Sequence, residues 1–356
     1  MSKSVQLIVG TNKGVFIYSS DEARKNWTMT GPHLAGWDVY SIHRDGTGRI
    51  YAGTSHFVYG PTFRVTDDNG ANWQQFEARP AYEKDSGWEL KRIWQIAPHP
   101  AEPNTLYAGV EEAGLFVSRD RGGSWTELDG LTRGRTRETW FPGAGGMCCH
   151  TVLINPKNAQ EMWVGISAVG FFRSLDAGKT WTNHNATLPK LGTGSPDENT
   201  ACCVHKVVLD PHDPTRLYMQ YHGGVRRSTD SGQTWHAIEA GLPSNFGFPM
   251  VMTHRGELFI APLKADSTRY FADETMTVYR SKDRGDTWQP LRNGFPKDPS
   301  YAGVLRDSMA VDSLASPGVY LGTTSGEVFA SPDAGENWLR LPGTLPRIHC
   351  VRAYAV

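Results

Sequence analysis

Apolar residues in this chain come in short runs that stop at turn-forming residues, the pattern of β-strands. Residues 151–154 and 206–209 are two such runs, ended by Asn155-Pro156 and Asp210-Pro211. A second kind of run reads Ile50-Tyr51-Ala52-Gly53, Leu106-Tyr107-Ala108-Gly109, Met162-Trp163-Val164-Gly165, Leu217-Tyr218-Met219-Gln220 and Val319-Tyr320-Leu321-Gly322. Eleven to sixteen residues downstream of the first residue of each of these runs begins a polar octet that closes on tryptophan. The octets occupy residues 66–73, 118–125, 174–181, 228–235, 281–288 and 331–338, and all fit S/T-x-D-x-G-x-x-W. A degraded seventh copy at residues 19–27 has one extra residue and no glycine.

The octet's aspartates (21, 68, 120, 176, 230, 283 and 333) step by about fifty residues, the period of a four-stranded propeller blade. In each octet the Asp carboxylate is expected to accept amide hydrogen bonds within a tight hairpin. Glycine supplies a positive φ there, and tryptophan packs on the blade. The shorter apolar runs before each octet are then the innermost and second strands. The chain ends in strand-like residues 350–356 with no blade after them, and begins at Val5 with second-strand material. The two ends complete one another. The expected fold is therefore all-β: one seven-bladed β-propeller domain over residues 1–356, its last blade closed by both termini and free of open sheet edges.

Composition narrows the partners. Thirty-six Lys and Arg against thirty-seven Asp and Glu leave no electrostatic footprint for nucleic acid or an anionic membrane. The N-terminus enters a strand directly, with no apolar stretch of signal-peptide or membrane-spanning length, so the expected compartment is the cytoplasm. Five cysteines do not read as a secreted disulfide framework.

The octets resemble the Asp-box, or BNR, repeat of sialidases, sortilin-type receptors and related propellers, and the resemblance covers nearly the whole chain. It implies the propeller fold. Sialidases of this kind carry six blades, an arginine triad, a Tyr–Glu pair and an Arg-Ile-Pro motif. Here Lys91-Arg92-Ile93-Trp94 comes nearest, in the second blade and without the proline, so the resemblance does not imply sialidase activity. Propeller lyases acting on uronate sugars or lactone-like rings resemble the His-plus-Arg constellation below more closely. Assembly factors that resemble this repeat bind protein partners instead.

The octet carboxylates build the fold, so chemistry is sought at the other face of the channel. Aligning the innermost strands on their turn signals places Asp38, Arg92, His150, His205, Phe248 and Asp307 at one channel-mouth position of blades one to six. Such a ring is either a self-neutralising network or a ligand site. Loops between second and third strands add Lys13, Glu111, Glu112, Ser167, Tyr221, His222 and Ser325, while Trp37, Trp88 and Trp140 either wall a pocket or anchor loops. A Cys-x-His pair recurs in adjacent blades, at Cys148 with His150 and Cys203 with His205, and these four are a candidate set for a divalent metal such as zinc. A Cys148–Cys203 bridge is the alternative. Without a metal, His150 and His205 are the expected general acid and base, Arg92 an anion clamp, and Asp38 and Asp307 orienting groups or the acid itself. The segment 133–137 is expected to be a solvated basic loop, and 183–200 a flap over the mouth. The functional expectation is a hydrolase or lyase acting on a small polar, carbohydrate-like or carboxylated substrate, including an oligosaccharide. The reading from another class is a non-catalytic scaffold for a protein partner.

Overall fold

The computed structural model describes residues 4–143, 145–191, 194–265 and 267–356. These residues form seven four-stranded antiparallel sheets, a seven-bladed β-propeller. The innermost strands of blades one to six are Asp38–Arg44, Arg92–Pro98, Cys149–Ile154, Val204–Leu209, Gly247–Met252 and Met309–Val311. Blade seven takes its innermost strand, Ile348–Ala355, from the end of the chain and its other three from the beginning. Ile348–Ala355 pairs with Ser4–Thr11 from Val5 opposite Ala355 to Gly10 opposite Cys350. Among the described residues helix is confined to two single turns, Arg137–Thr139 and Glu198–Thr200. Among the described residues no helix is long and apolar enough to cross a membrane.

The Asp-box geometry follows from its residue types. In blade four the Asp230 carboxylate accepts from the Thr234 amide at 2.9 Å and the Thr234 hydroxyl at 2.6 Å. Ser228 Oγ donates to Asp230 and accepts from the buried Gly232 amide at 2.8 Å. Gly232 sits at φ 85°, and a Cβ there would come within 2.4 Å of Phe171 in the neighbouring blade. Trp235 packs edge-on against the same Phe171 at 5.0 Å, so the repeat joins adjacent blades as well as closing its own hairpin. Ser228→Ala strands the buried Gly232 amide. The expected cost is about 1–3 kcal/mol, read as a lower denaturant midpoint at unchanged slope.

The basic segment divides. Arg133 is exposed and pairs with Glu83 and Asp129, as a solvated loop should. Arg137 is buried between Trp88 and Trp140, 3.9 and 4.7 Å from their ring centres, and donates to the carbonyls of Ala113 and Glu112. Both tryptophans therefore anchor the loop to the blade. Within 183–200, Gly192 and Thr193 lie outside the described residues; Asn185 and Ser195 tie the rest of the segment to Val169 and Thr139.

Candidate functional site

Antiparallel pairing brings the start of every innermost strand to the same end of the channel as the loop between second and third strands. At that end the innermost strands bulge. The extra residue is Tyr40, Trp94, His150 and His205 in blades one to four and His349 in blade seven, and the bulge of blade five contains Phe248. Asp307 holds the equivalent place in blade six, just before Ser308, whose carbonyl accepts from Gly322. Bulges re-aim side chains, here around the channel mouth.

This register corrects two members of the expected ring. Asp38 pairs opposite Ser55 and Arg92 opposite Glu111, two residues before their bulges and level with Cys148 and Cys203. The innermost strands end at Asp45, His99, Asn155, Asp210 and Asp312, whose amides close the turns on the carbonyls of Arg49, Thr105, Glu161, Arg216 and Gly318. Five residues back from these turns stand Tyr40, Trp94, His150, His205 and Asp307.

The mouth is consequently more aromatic than the sequence alignment suggested. His349 stacks on Tyr40 at 4.4 Å, and Tyr40 tilts against Trp94 at 4.9 Å. Arg306, next in sequence to Asp307, reaches over Trp94 and Phe248, 5.1 and 5.8 Å from their ring centres. Phe248 packs on His205 at 4.6 Å. Asp38 lies at the rim, 3.5 Å from His349 Nε2, and Arg92 pairs with the buried Glu111 at 2.9 Å. Glu111 also accepts from Trp94 Nε1 at 3.1 Å.

Asp307 turns inward. It accepts from Lys206 Nζ and Arg352 Nη2, each at 2.8 Å, and all three are largely buried. Burial alone would raise its pKa, but the two cations hold the carboxyl far below the usual carboxylate range. This triad is an ionic plug across the channel. Two cavities on the far side of the plug, of about 350 and 280 Å³, are lined mainly by apolar side chains together with Lys206, Arg352 and Tyr354.

The cavity on the mouth side is different in character. It measures about 280 Å³ and is lined by Ser167, Cys203, His205, His222, Arg269 and Arg306, with Phe248 as a wall and Gly143, Gly145 and Gly146 bordering it. No carboxylate lines it among the described residues. His205 Nδ1 lies 2.6 Å from the Gly247 carbonyl and donates to it, which leaves Nε2 as the nitrogen with a lone pair. Burial, reinforced by the Arg306 charge, pushes the His205 pKa well down, so the ring is neutral at physiological pH. The His222 ring meets it edge-on at 5.3 Å.

His150 is differently placed. It is fully buried, with Nε2 donating to the Val204 carbonyl at 2.9 Å and Nδ1 accepting from Thr151 Oγ1 at 3.1 Å. Both nitrogens are thus occupied: Nε2 ties blade three to blade four, and Nδ1 is held by the next residue of its own strand. Donor atoms of Cys203, His205 and His222 lie within 4.8 Å of one another, so the geometry that suits a metal replaces Cys148 and His150 with His222. All five cysteines are free thiols, and burial pushes Cys148 up to about 12.

The remaining candidates sit outside the cavity. Tyr221 is buried and donates to the Pro189 carbonyl, Glu112 pairs with Lys91, and Lys13 is exposed in the turn after Ser4–Thr11. Trp37 stacks beneath Arg64, 4.1 Å from its guanidinium carbon, and beside Tyr59. Trp140 anchors its loop as described. Arg269 was legible only indirectly: blade five separates its second and third strands, Leu258–Pro262 and Val278–Ser281, by a long insert where blade four has a short turn.

Three comparisons bear on the repeat and the fold. The family model described as "BNR-Asp box repeat" matches residues 115–128, the second strand-and-octet unit read above. The chain is an Asp-box repeat β-propeller. Among curated proteins, this Asp-box propeller is 24% identical over 255 residues to a xyloglucanase of Paenibacillus sp, covering 62% of the chain and 24% of that protein. The chain thus spans about a quarter of that relative's length. Among solved structures, the GH74 enzyme of Niastella koreensis superposes with a TM-score of 0.57 at 18% identity, over 85% of this chain and 45% of that one. The structure described as "YCF48 bound to D1 peptide" gives 0.54 at 15% identity, over 85% and 81% of the two chains. Both likenesses concern the fold.

Proposed function

We propose that the mouth cavity is a carbohydrate site and that the chain cleaves a glycosidic bond there, as a hydrolase or lyase with His205 as general base. The observation that carries this reading is the state of His205: its Nδ1–H is fixed on a backbone carbonyl, its ring is neutral, and the ring borders the cavity. Phe248 walls the cavity and supplies an apolar ring of the kind that packs on sugar rings. The xyloglucanase relatives supply the substrate class.

A pair of carboxylates facing each other across the bond, as most glycosidases use, has no counterpart in the cavity lining. A neutral imidazole beside two guanidinium groups suits proton abstraction next to an acidic group better, which favours elimination over hydrolysis. The test is to incubate the full chain with a panel of neutral and uronate-containing oligosaccharides and follow both new reducing ends and ultraviolet absorbance. Reducing ends with absorbance mean elimination, and reducing ends alone mean hydrolysis. No cleavage of any member overturns the reading.

One observation favours the scaffold reading. The hairpin tip after Ile50–His56 exposes Phe57, Val58 and Tyr59, with Phe57 95% exposed, on the same face as the mouth. An apolar tip of that kind is a protein-contact feature. It lies beside Trp37 and outside the cavity, so its truncation separates the two readings: it leaves cleavage intact if His205 is the base.

A further inference from the structure

The buried and half-buried arginines of this propeller mostly meet carboxylates. Arg24 pairs with Asp312 at 2.9 Å, Arg280 with Glu336 at 2.6 Å and Arg352 with Asp307 at 2.8 Å. Arg306 departs from this. No hydrogen bond or ion pair is made by its guanidinium among the described residues, and its Nε is buried without a partner. Its contacts are with the faces of Trp94 and Phe248, an arrangement that uses the flat side of the guanidinium and leaves its N–H edge unused.

A second group in the same cavity is also unsatisfied. Ser167 Oγ is buried, with the residue 4% exposed, and has no hydrogen-bond partner among the described residues. Buried donors and charges are paired in folded proteins as a rule, and an exception at a cavity marks the place of a missing partner. Arg269 brings a second guanidinium to the lining, 5.5 Å from the Phe248 ring centre. The lining therefore offers two guanidinium groups, a hydroxyl and two imidazoles, and no carboxylate among the described residues.

We infer that the mouth cavity binds an oxyanion through Arg306 and Ser167, with Arg269 adding positive charge to the lining, so that its ligand is an acidic sugar and not a neutral one. This rests on the mouth cavity being the ligand site, as proposed above. The planar, two-pronged N–H edge of arginine matches carboxylate, sulfate and phosphate oxygens. The same charges oppose a divalent cation at Cys203, His205 and His222, since both guanidinium groups border the space it would fill. A cavity of about 280 Å³ is near the lower limit of small-molecule sites, about 300 Å³, and suits one sugar ring. His205 then sits where a proton beside the bound acid group would be removed.

The experiment is isothermal titration of the full chain, at constant ionic strength, with D-glucuronate, D-glucose 6-phosphate, inorganic sulfate and D-glucose. At least one acidic sugar is expected to bind more tightly than glucose and more tightly than sulfate, and which one does identifies the acid as carboxylate or phosphate. Arg306→Gln should weaken that binding by about tenfold to a hundredfold, because a charge-assisted pair is lost. Ser167→Ala should weaken it less, and Arg64→Gln, outside the cavity and stacked on Trp37, not at all. Circular dichroism shows whether Arg306→Gln is folded; Arg306→Lys, which keeps the charge without the fork, should bind with intermediate affinity. Equal affinity for glucose and the acidic sugars, or unchanged binding in a folded Arg306→Gln, overturns the inference while leaving a neutral-sugar site standing. Binding of none of the four overturns it too, and cleavage assays then decide separately whether the mouth is a site.

Discussion

Asp307→Ala is expected to cost about 3–5 kcal/mol of stability, the largest effect of any single change in the channel, because it leaves Lys206 and Arg352 buried together without their shared carboxylate. Equilibrium denaturation of the purified variant measures it. The loss is electrostatic and not one of volume, so the triple change Lys206→Met, Asp307→Leu and Arg352→Met should recover most of it. The same pairing makes the fold acid-sensitive. A carboxyl held below its unfolded value contributes stability that is fully present above about pH 4 and lost as pH falls through the folded value. Asp307 acts in that sense through Lys206 and Arg352, against the effect of its own burial. Asp45, lowered to about 2 by bonds from Thr47, Arg121 and Tyr51 that outweigh its burial, and Asp283, lowered to about 2 chiefly by Thr287, act in the same window. Stability should decline from about pH 4 downward, with Asp307→Ala showing a shallower decline. A cost under about 1 kcal/mol would mean that the plug is not what joins blades four, six and seven.

His205→Asn should lower turnover by about 10²- to 10⁴-fold, the usual contribution of a positioned base, with little change in stability. Asparagine can keep the donor that meets the Gly247 carbonyl while removing the Nε2 lone pair. His150→Asn is the contrasting variant: its ring nitrogens serve Val204 and Thr151, so stability should fall and the turnover of the folded fraction should not. Because burial and then the Arg306 charge push the His205 pKa well below its usual value, the acidic limb of the rate profile should lie below pH 6.5. Arg306→Gln removes one of those causes and should move the limb upward. If wild-type activity instead disappears with a chelator and returns with zinc alone, His205 is a ligand and not the base.

The fold was legible because the Asp-box depends on local chemistry. A Ser hydroxyl on a glycine amide and an Asp carboxylate on a hairpin fix the residue types at each copy, so the period survives in the sequence. The site was legible only in part, because it depends on register. A bulge in an innermost strand shifts every side chain upstream of it relative to the pairing partner, and nothing in residues 38–45 or 92–99 marks the bulge itself. Counting back five residues from the turn residues Asp45 and His99 gives Tyr40 and Trp94, two residues beyond the Asp38 and Arg92 that the alignment on turn signals placed at the mouth. Arg306 was hidden by its neighbour: Asp307 satisfied the pattern of a titratable ring, yet it faces the plug and the adjacent arginine faces the cavity. His205 was reached through the repeated Cys-x-His pair that it shares with His150, and His222 only as one residue of the loops between second and third strands.

The account turns on the mouth cavity being where the ligand sits. An experimental structure of the chain crystallised with the acidic sugar that binds most tightly tests this most directly. The account predicts an acid group on the Arg306 guanidinium at about 2.8 Å, with the sugar ring against Phe248 and His205 Nε2 facing it. A sugar seated instead on the Phe57–Tyr59 tip or beyond the Asp307 plug, with the mouth cavity empty, would contradict it.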